Sequence, residues 1–245
     1  MKKIIFIFLT SLLMLLSPLN IFAETFSFDD VYMNLDIDTS KYDIVLDAKN
    51  PLDGETLSAI GFTQEELDNY FNEQGIVFDA SKFSPYFEFS VVVREDDTSK
   101  SFFNLNEFSE DEIKNSLLDE FELNSDATVY STNFEVHNNI NMIVIELSNN
   151  TTDSTIYTRS YATIYNGKYI NLNFHAYDEN DFNTFNDEIT NIVDSINFTK
   201  TLENNNKTTT AFSEGLTNSI SYGAISGIVS AAFILLIILL KKKQH

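Results

Sequence analysis

The chain contains no cysteine among its 245 residues. This absence excludes a lipid-modified N-terminal cysteine, a cysteine-rich zinc site and a thiol nucleophile. Secreted chains of this size from disulfide-forming compartments usually contain some cysteine. Together with the abundance of Asn, Ile and Lys, the composition is typical of a Gram-positive bacterium.

Basic residues are also scarce. Residues 24–200 hold nine Lys and Arg against 35 Asp and Glu, a net charge of −26. Such a surface repels nucleic acid and anionic wall polymers, and it attracts cations and basic partners. We therefore expect no nucleic-acid partner. A basic protein is one candidate partner, and the alternative is that the charge serves solubility alone.

The usual signatures of catalysis are missing. No Gly-x-Ser-x-Gly segment provides a nucleophile elbow, and the two histidines between residues 24 and 218, His137 and His175, lack the His-x-x-x-His spacing of a zinc site. Carboxylates are so abundant that any particular pair is uninformative. We expect no enzyme and no cofactor, with an uncharacterised hydrolase as the alternative.

Two apolar runs lie near the ends of the chain. The first, Ile4–Leu16, follows two lysines and precedes Ser17-Pro18, which predicts a signal peptide over residues 1–23 cut after Ala23. The second, Ser219–Leu240, is uncharged and about 33 Å long as a helix, which predicts a transmembrane helix over 219–240. Three lysines then begin the tail, 241–245, and place it in the cytoplasm. The sequence thus predicts a single-pass cell-membrane protein whose N-terminal domain is extracytoplasmic.

Small residues recur every four positions in the predicted span. They are Ser219, Gly223, Gly227 and Ala231, and on a helix they form one shallow groove. Such grooves allow close helix–helix packing. The pattern favours a weak transmembrane contact with a second copy or a partner's span, although small residues are common in spans without this function.

Residues 24–198 are enough for one domain with its own core, and the polar stretch 199–218 is typical of a flexible stalk. Within the domain, "GFTQEELDNYFNEQG" predicts a helix that begins at a Thr63–Glu66 capping box and ends at Gly75. "FSEDEIKNSLLDEF" repeats the box with Ser109 and Glu112. A third helix is predicted over Asp181–Ile196 from its apolar stripe.

Period-two alternation between these helices predicts strands. "YFEFSVVVRE" alternates apolar and polar positions, and strand pairs flank Asn138-Asn139 and the two-residue hairpin signal Asn166-Gly167. An N-terminal hairpin is expected from Phe26–Met33 and Tyr42–Ala48. The predicted fold class is α+β: an antiparallel β-sheet packed by about three helices, plus one C-terminal transmembrane helix.

The hairpin at Asn166-Gly167 fixes a register that suggests a binding face. Tyr161 then opposes Leu172 and Thr163 opposes Ile170 on an apolar face. The other face carries Thr158, Ser160, Ala162, Asn171, Asn173 and His175. We expect these polar groups to face solvent, where they would bind a sugar, peptide or protein; an ordinary solvated sheet face is the alternative.

Two acidic clusters are candidate cation sites. Asp36 and Asp38 in "LDIDTSKYD" have the early spacing of a calcium loop, but Lys41 stands where the turn needs Gly and the twelfth-position Glu is missing. The second cluster comprises Asp178, Glu179 and Asp181. Its position also suits the negatively charged first turn of the last helix. A calcium-binding surface domain therefore stays an alternative function.

The order of these elements resembles the PsbP-like (Mog1/PsbP) fold of extracytoplasmic domains of unassigned function. The resemblance is carried by "ELDNYF", "IVFDA", "YNGKYINLNF" and "NIVDSINF", and it covers about residues 26–198. It implies a helix-flanked antiparallel sheet that binds or assembles at a membrane surface, with no functional residues to carry over. The predicted C-terminal span departs from the soluble plant relatives. The sequence as a whole favours a membrane-tethered, acidic binding or assembly module.

Overall fold

The computed structural model describes residues 23–47, 52, 54, 57–58, 62–117, 127–150 and 154–204. All but the last residue of the predicted signal peptide, the predicted transmembrane helix 219–240 and the tail 241–245 lie outside these residues. In the part of the chain that is described, no helix is long and apolar enough to cross a bilayer.

Within the described ranges, ten strands form two antiparallel sheets. They are β1 (Glu24–Phe28), β2 (Met33–Ile37), β3 (Ile44–Asp47), β4 (Ile76–Phe83), β5 (Tyr86–Arg94), β6 (Ala127–His137), β7 (Ile140–Asn150), β8 (Thr155–Tyr165), β9 (Lys168–Ala176) and β10 (Asn197–Phe198). The large sheet has the order β3-β4-β5-β9-β8-β7-β6, and the small one the order β1-β2-β10. The candidate site lies on the four adjacent strands β4, β5, β9 and β8 of the large sheet.

The strand pairing predicted for the N-terminal hairpin is wrong. β1 pairs with β2, whereas β3 joins the large sheet beside β4. The chain reverses already at Asp29–Val31, where Tyr32 has the left-handed φ of 55°. Met33, Leu35 and Ile37 then face the core at every second position, which fixes β2 rather than the later strand as the partner of β1.

Five helices accompany the sheets in the described residues: α1 (Gln64–Gln74), α2 (Asp97–Phe102), α3 (Glu110–Leu117), α4 (Asp181–Thr184) and α5 (Asn186–Asp194). Both predicted capping boxes are present. Thr63 N donates to Glu66 Oε2 at 2.9 Å, and Ser109 N donates to Glu112 Oε2 at 2.8 Å. The fold is therefore mixed α and β with antiparallel sheets, and it has more helices than the three expected from the sequence.

The last predicted helix is divided in two. Phe185, with φ −96° and ψ 6°, leaves the helical conformation between α4 and α5. The predicted apolar stripe is nevertheless buried throughout: Phe182, Phe185, Ile189, Ile192, Val193 and Ile196. Burial of the stripe thus depends on helical periodicity on either side of the break rather than on one continuous helix.

The two asparagine turns form as predicted. Asn166 and Gly167 have φ values of 55° and 75°, and Asn138 and Asn139 have 46° and 63°. These left-handed angles are those of the tight hairpin turn that asparagine and glycine favour. The register of β8 and β9 follows from the first turn, with Tyr161 opposite Leu172.

One face of the large sheet forms the main core. Phe78, Phe89, Leu172 and Phe174 are fully buried there against the small sheet and the apolar stripe of α4 and α5. Phe89 and Phe174 stack with ring centroids 4.9 Å apart. This face holds most of the large apolar side chains of the sheet, and the buried polar side chains lie on the other face.

The second face carries apolar clusters only at its flanks. On one flank, Leu67 and Phe71 of α1 pack over strands β3 to β5. On the other, Phe102, Leu105 and Ile113 pack over β7 and β8. Helical segments therefore cover this face from both sides and leave its centre to polar residues.

The beginning of the predicted stalk is attached to the domain. Thr199 N donates to the Tyr32 carbonyl at 2.7 Å, and Leu202 N donates to Asn166 Oδ1 at 2.8 Å. Tyr165 stacks on Phe198 with centroids 3.7 Å apart. These contacts hold residues 198–202 against the same end of the sheet.

Candidate functional site

The centre of the second sheet face is a buried polar layer. It consists of nine side chains, none more than 1% exposed: Asp79, Ser81, Glu88, Ser90, Thr158, Ser160, Asn171, Asn173 and His175. Buried polar groups on this scale are uncommon, since each loses its hydration and needs a partner. The polar layer is therefore the candidate site.

Strand register arranges the layer in two rows across four strands. The first row runs Asp79, Ser90, Asn173, Ser160, and the second runs Ser81, Glu88, His175, Thr158. Neighbours within a row are directly opposite residues of paired strands, where side chains lie about 5 Å apart. Asn171, the ninth residue of the layer, lies on β9 two positions before Asn173 and therefore on the same face.

The predicted binding face is part of this layer, but it does not face solvent. Thr158, Ser160, Asn171, Asn173 and His175 are each 0% exposed. The expectation of an exposed face is corrected because antiparallel sheets solvate one face only when nothing covers it, and here α1, α2 and α3 pack over both flanks. The neighbouring Ala162 belongs to the apolar cluster under α2 and α3.

Sequence reasoning missed the half of the layer on β4 and β5. Asp79, Ser81, Glu88 and Ser90 alternate with core residues in "FDAS" and "FEFS". The two residues between Phe83 and Tyr86 set the register that places Asp79 opposite Ser90. Polar residues at alternate positions of two strands joined by so short a loop were the available signal.

Part of the layer is satisfied internally. Ser160 Oγ donates to Asn173 Oδ1 at 2.7 Å and accepts from Asn171 Nδ2 at 3.2 Å. Thr158 Oγ1 lies 2.8 Å from His175 Nδ1. These bonds fix the side chains on β8 and β9, so that this side of the layer is rigid.

Two carboxyl groups meet at the other side. Asp79 is fully buried, and desolvation, together with the charge of the neighbouring Glu88, raises the pKa of Asp79 well above its usual range. The Asp79 carboxyl hydrogen-bonds to Glu88, which requires a proton between them. Ser81 Oγ donates to Asp79 Oδ1 at 3.4 Å. The pair therefore holds a proton under conditions where exposed aspartate is ionised.

Tyrosines surround the carboxyl pair. The Tyr86 hydroxyl donates to Glu88 Oε2, and the Tyr86 ring stacks on Tyr177 with centroids 4.4 Å apart. Burial and the charge of Glu88 raise the pKa of Tyr177 to about 12, and they also raise that of Tyr70 on α1. Tyr70 and Tyr177 are partly exposed, so the acidic side of the layer lies one side chain from solvent.

His175 is neutral in this environment. Complete burial lowers the pKa of its imidazole to about 3. A histidine with such a pKa is a weak base near neutral pH. Its function in the layer is therefore that of a fixed hydrogen-bonding group.

Three atoms of the layer have unused hydrogen-bonding capacity. Among the described residues, Ser90 Oγ and His175 Nε2 have no hydrogen-bond partner, and no N–H or O–H group donates to Asp79 Oδ2. Ser90 lies opposite Asp79, and His175 lies opposite Glu88 in the next row. Buried polar atoms without protein partners commonly bind ordered water or a ligand.

The candidate metal residues do not come together. Asp36 and Asp38 line an open pocket of about 370 Å³ beside Lys41 and Glu188, whereas Asp178, Glu179 and Asp181 lie at the start of α4. No group of three His, Cys, Asp or Glu side chains within the described ranges is arranged to hold a metal ion.

The carboxylates in both places have other partners. Asp36 Oδ1 accepts from Thr25 at 2.6 Å, and Asp38 Oδ1 accepts from Ser40 Oγ at 2.5 Å. Asp178 Oδ1 accepts two bonds from Asn180, which lower the pKa of its carboxyl. Asp36 thus accepts a hydrogen bond across the β1–β2 pair, whereas Asp38 and Asp178 accept theirs from residues two positions later in the chain.

Comparison with known proteins shows similarity in structure only. No family model matches the chain, and no curated protein matches it. A solution structure of cyanobacterial PsbP (CyanoP) from Synechocystis sp. PCC 6803 is similar at a TM-score of 0.43 and 11% identity, over 74% of this chain and 95% of that one. A PsbP structure is thus among the matches, as the sequence resemblance predicted.

A crystal structure of a protein from Bacteroides thetaiotaomicron VPI-5482 is similar at a TM-score of 0.39 and 10% identity. The match covers 73% of this chain and 49% of the other chain, so this chain spans about half the length of that protein.

Proposed function

We propose that this chain is a membrane-tethered, extracytoplasmic binding module that takes a small polar ligand in the buried polar layer. The observation that supports it is the pair of fully buried atoms, Ser90 Oγ and His175 Nε2, that have no partner among the described residues. They lie on neighbouring strands and on one face. A ligand that bonds to both would complete the layer.

Energetics favour an occupied layer. A buried polar atom left without a hydrogen bond costs roughly 1–3 kcal/mol, which is a large share of the stability of a small domain. The cost is offset when another molecule supplies the missing bonds. Ser81, Ser90, Thr158 and Ser160 have short side chains, and the proposal requires that the space above them admit that molecule.

Binding is better supported than catalysis. The one histidine in the layer has a pKa of about 3, so it is a poor general base. Its Nδ1 is engaged with Thr158, and among the described residues no carboxylate hydrogen-bonds to the other ring nitrogen, Nε2. The layer holds its groups in fixed positions, which suits recognition of a ligand.

The predicted signal peptide and C-terminal span would place this module at the outer face of the cell membrane. The net charge of −26 over residues 24–200 would draw cations and basic partners toward it. Tethering keeps the module at the surface where such a ligand or partner arrives. The tether and the layer thus serve one function, capture at the membrane.

Nuclear magnetic resonance on the full chain in lipid nanodiscs tests the proposal. The chain has only three histidines, so 15N-imidazole labelling gives a separate signal for the layer. The probes are ethanolammonium, ethylene glycol and glycolate, which have similar size and positive, zero and negative charge. We expect at least one to shift the His175 resonance saturably while His137 stays unchanged. If none of the three does so, the proposal is wrong.

Serine variants provide the control. Ser90→Ala removes an unpartnered hydroxyl, so the free energy of unfolding is expected to stay equal or rise, while binding weakens by about three- to tenfold. Ser148→Ala alters a strand serine outside the layer and is expected to change neither. Equal weakening by both variants would show that the effect does not come from the layer.

A further inference from the structure

We propose that the ligand of the polar layer is a small amine, and that Asp79 Oδ2, Ser90 Oγ and His175 Nε2 accept the three N–H groups of its ammonium. This inference rests on the proposed binding function and names the chemical class of the ligand. It follows from the kind of atoms left unsatisfied, the sign of the charge around them and the aromatic rings beside them.

The number of donors matches the number of free acceptors. An alkylammonium carries three N–H donors and no acceptor. When Nδ1–H of His175 donates to Thr158 Oγ1, at 2.8 Å, its Nε2 becomes an acceptor. Ser90 Oγ and Asp79 Oδ2 supply the other two, from positions directly opposite each other on β4 and β5. Asp79 and His175 lie on β4 and β9, the two strands on either side of β5, so the proposal requires both side chains to reach an ammonium placed above Ser90.

The charge of the layer favours a cation. Its titratable groups are the two carboxyls and the neutral imidazole, and none of its nine residues is Lys or Arg. An anion placed here would meet Asp79 and Glu88 at close range in a region of low polarity, where repulsion is strong. A neutral ligand would leave the carboxyl pair dependent on a retained proton. A cation stabilises the ionised form of Asp79 directly.

Aromatic rings beside the carboxyls add to the preference for a cation. Tyr86 and Tyr177 stack 4.4 Å apart next to Glu88, and the faces of such rings attract ammonium groups. Tyr177 is partly exposed, and entry of the amine from the side of these tyrosines is part of the proposal.

A metal ion fits the layer less well. Divalent calcium and magnesium need six or more oxygen ligands, several of them carboxylate or carbonyl. Within the described part of the chain, no three carboxylate or imidazole groups converge, in the layer or elsewhere. The directional bonds of an ammonium suit one carboxyl, one hydroxyl and one imidazole nitrogen better.

Proton exchange follows from this mode of binding. The proton that Asp79 shares with Glu88 leaves to solvent when the ammonium takes its place, so affinity rises with pH until Asp79 is ionised in the free protein. Several titratable groups face Asp79 or interact with it electrostatically. They are Glu88 and Tyr86 on β5, His175 on β9, Tyr70 on α1, and Tyr42. The tyrosines keep their protons and His175 stays neutral, which leaves the carboxyl pair as the source of the released proton.

The probe series described above decides the class of ligand. On the full chain in nanodiscs, ethanolammonium is expected to bind at least tenfold more tightly than ethylene glycol, and glycolate is expected not to bind. Affinity for ethanolammonium should rise by up to about tenfold per pH unit, as release of one proton requires, while affinity for the glycol stays flat. The 15N shifts of His175 should show protonated Nδ1 and acceptor Nε2.

The other possible outcomes of the probe series separate the amine assignment from the binding function. Preference for the glycol or glycolate would overturn the amine assignment and leave the binding function standing. Failure of all three would overturn both. Asp79→Asn is expected to reduce ethanolammonium binding at least tenfold and to abolish its pH dependence, whereas Asp30→Asn, an exposed change of the same kind, should do neither. An unchanged pH dependence in Asp79→Asn would exclude Asp79 as the ammonium acceptor.

Discussion

Replacing Asp79 by Asn should stabilise the folded chain near neutral pH. Folding moves this carboxyl from water, where its pKa is about 3.9, to a buried position beside Glu88 where the pKa is well above its usual range. The folded chain therefore takes up a proton. Its stability is greatest below the unfolded pKa and is lost as pH rises through the folded pKa. An amide needs no proton and can still donate to Glu88.

The size of the effect has a ceiling. Each unit of difference between folded and unfolded pKa costs about 1.4 kcal/mol, so keeping the proton up to pH 7 costs at most about 4 kcal/mol. We expect Asp79→Asn to raise the free energy of unfolding at about pH 7 by an amount between about 1 and 4 kcal/mol, and to have little effect at about pH 4. The difference between variant and wild type isolates this carboxyl from others that titrate.

Urea unfolding of the full chain in mild detergent, followed by circular dichroism without added amine, measures this difference. Asp30→Asn makes the same replacement at an exposed position and should change stability by less than about 0.5 kcal/mol at either pH. A variant less stable than wild type at neutral pH, or a gain that does not shrink on acidification, would refute the reasoning about the buried carboxyl pair.

Three further predictions concern the backbone, the imidazole and the span. Gly75→Ala should destabilise the chain by at least about 1 kcal/mol in urea unfolding, because Gly75 has φ +68° and a Cβ there would lie 2.7 Å from the Val93 carbonyl; Gly54→Ala, with open space around it, should cost less. The imidazole of His175 should show no protonation in 15N spectra until the pH approaches 3, because burial removes it from water. Combined Gly223→Ile and Gly227→Ile should weaken association of the predicted span in a membrane two-hybrid assay; equal association would mean that the small residues form no contact.

Local signals predicted much of the fold. The capping boxes at Thr63 and Ser109 and the turn at Asn166-Gly167 each depend on a few neighbouring residues, and each forms as expected. The apolar stripe before Ile196 is buried as predicted, although Phe185 divides the helix. Such features are encoded within one turn or one helix, so a single sequence suffices to find them.

Long-range pairing could not be obtained in the same way. β2 takes β1 and β10 as partners, and Asn34 pairs with Asn197 across most of the chain. The alternation of Met33, Leu35 and Ile37 is a local sign that β2 is a strand, but the pairing of β2 with β10 has no local sign. Partner choice depends on how whole strands bury their apolar faces together, which requires the complete fold.

For the same reason, the sequence predicted the part of the candidate site on β8 and β9 but not the part on β4 and β5. The hairpin register placed Ser160 beside Asn173 correctly, since it depends only on the turn. Burial of that face was missed because it depends on helices packed from elsewhere in the chain. Glu88 was missed because its alternation with phenylalanines was used only to assign the core face of β5, and Asp79 was missed because "IVFDA" was used only for the family resemblance.

A crystal structure of the full chain, purified and then soaked with ethanolammonium, tests the central claim most directly. The account predicts electron density for the amine within about 2.7–3.2 Å of both Ser90 Oγ and His175 Nε2, beside the Asp79 carboxyl. Protein partners for these two atoms, or a water molecule that the amine does not displace, would contradict it.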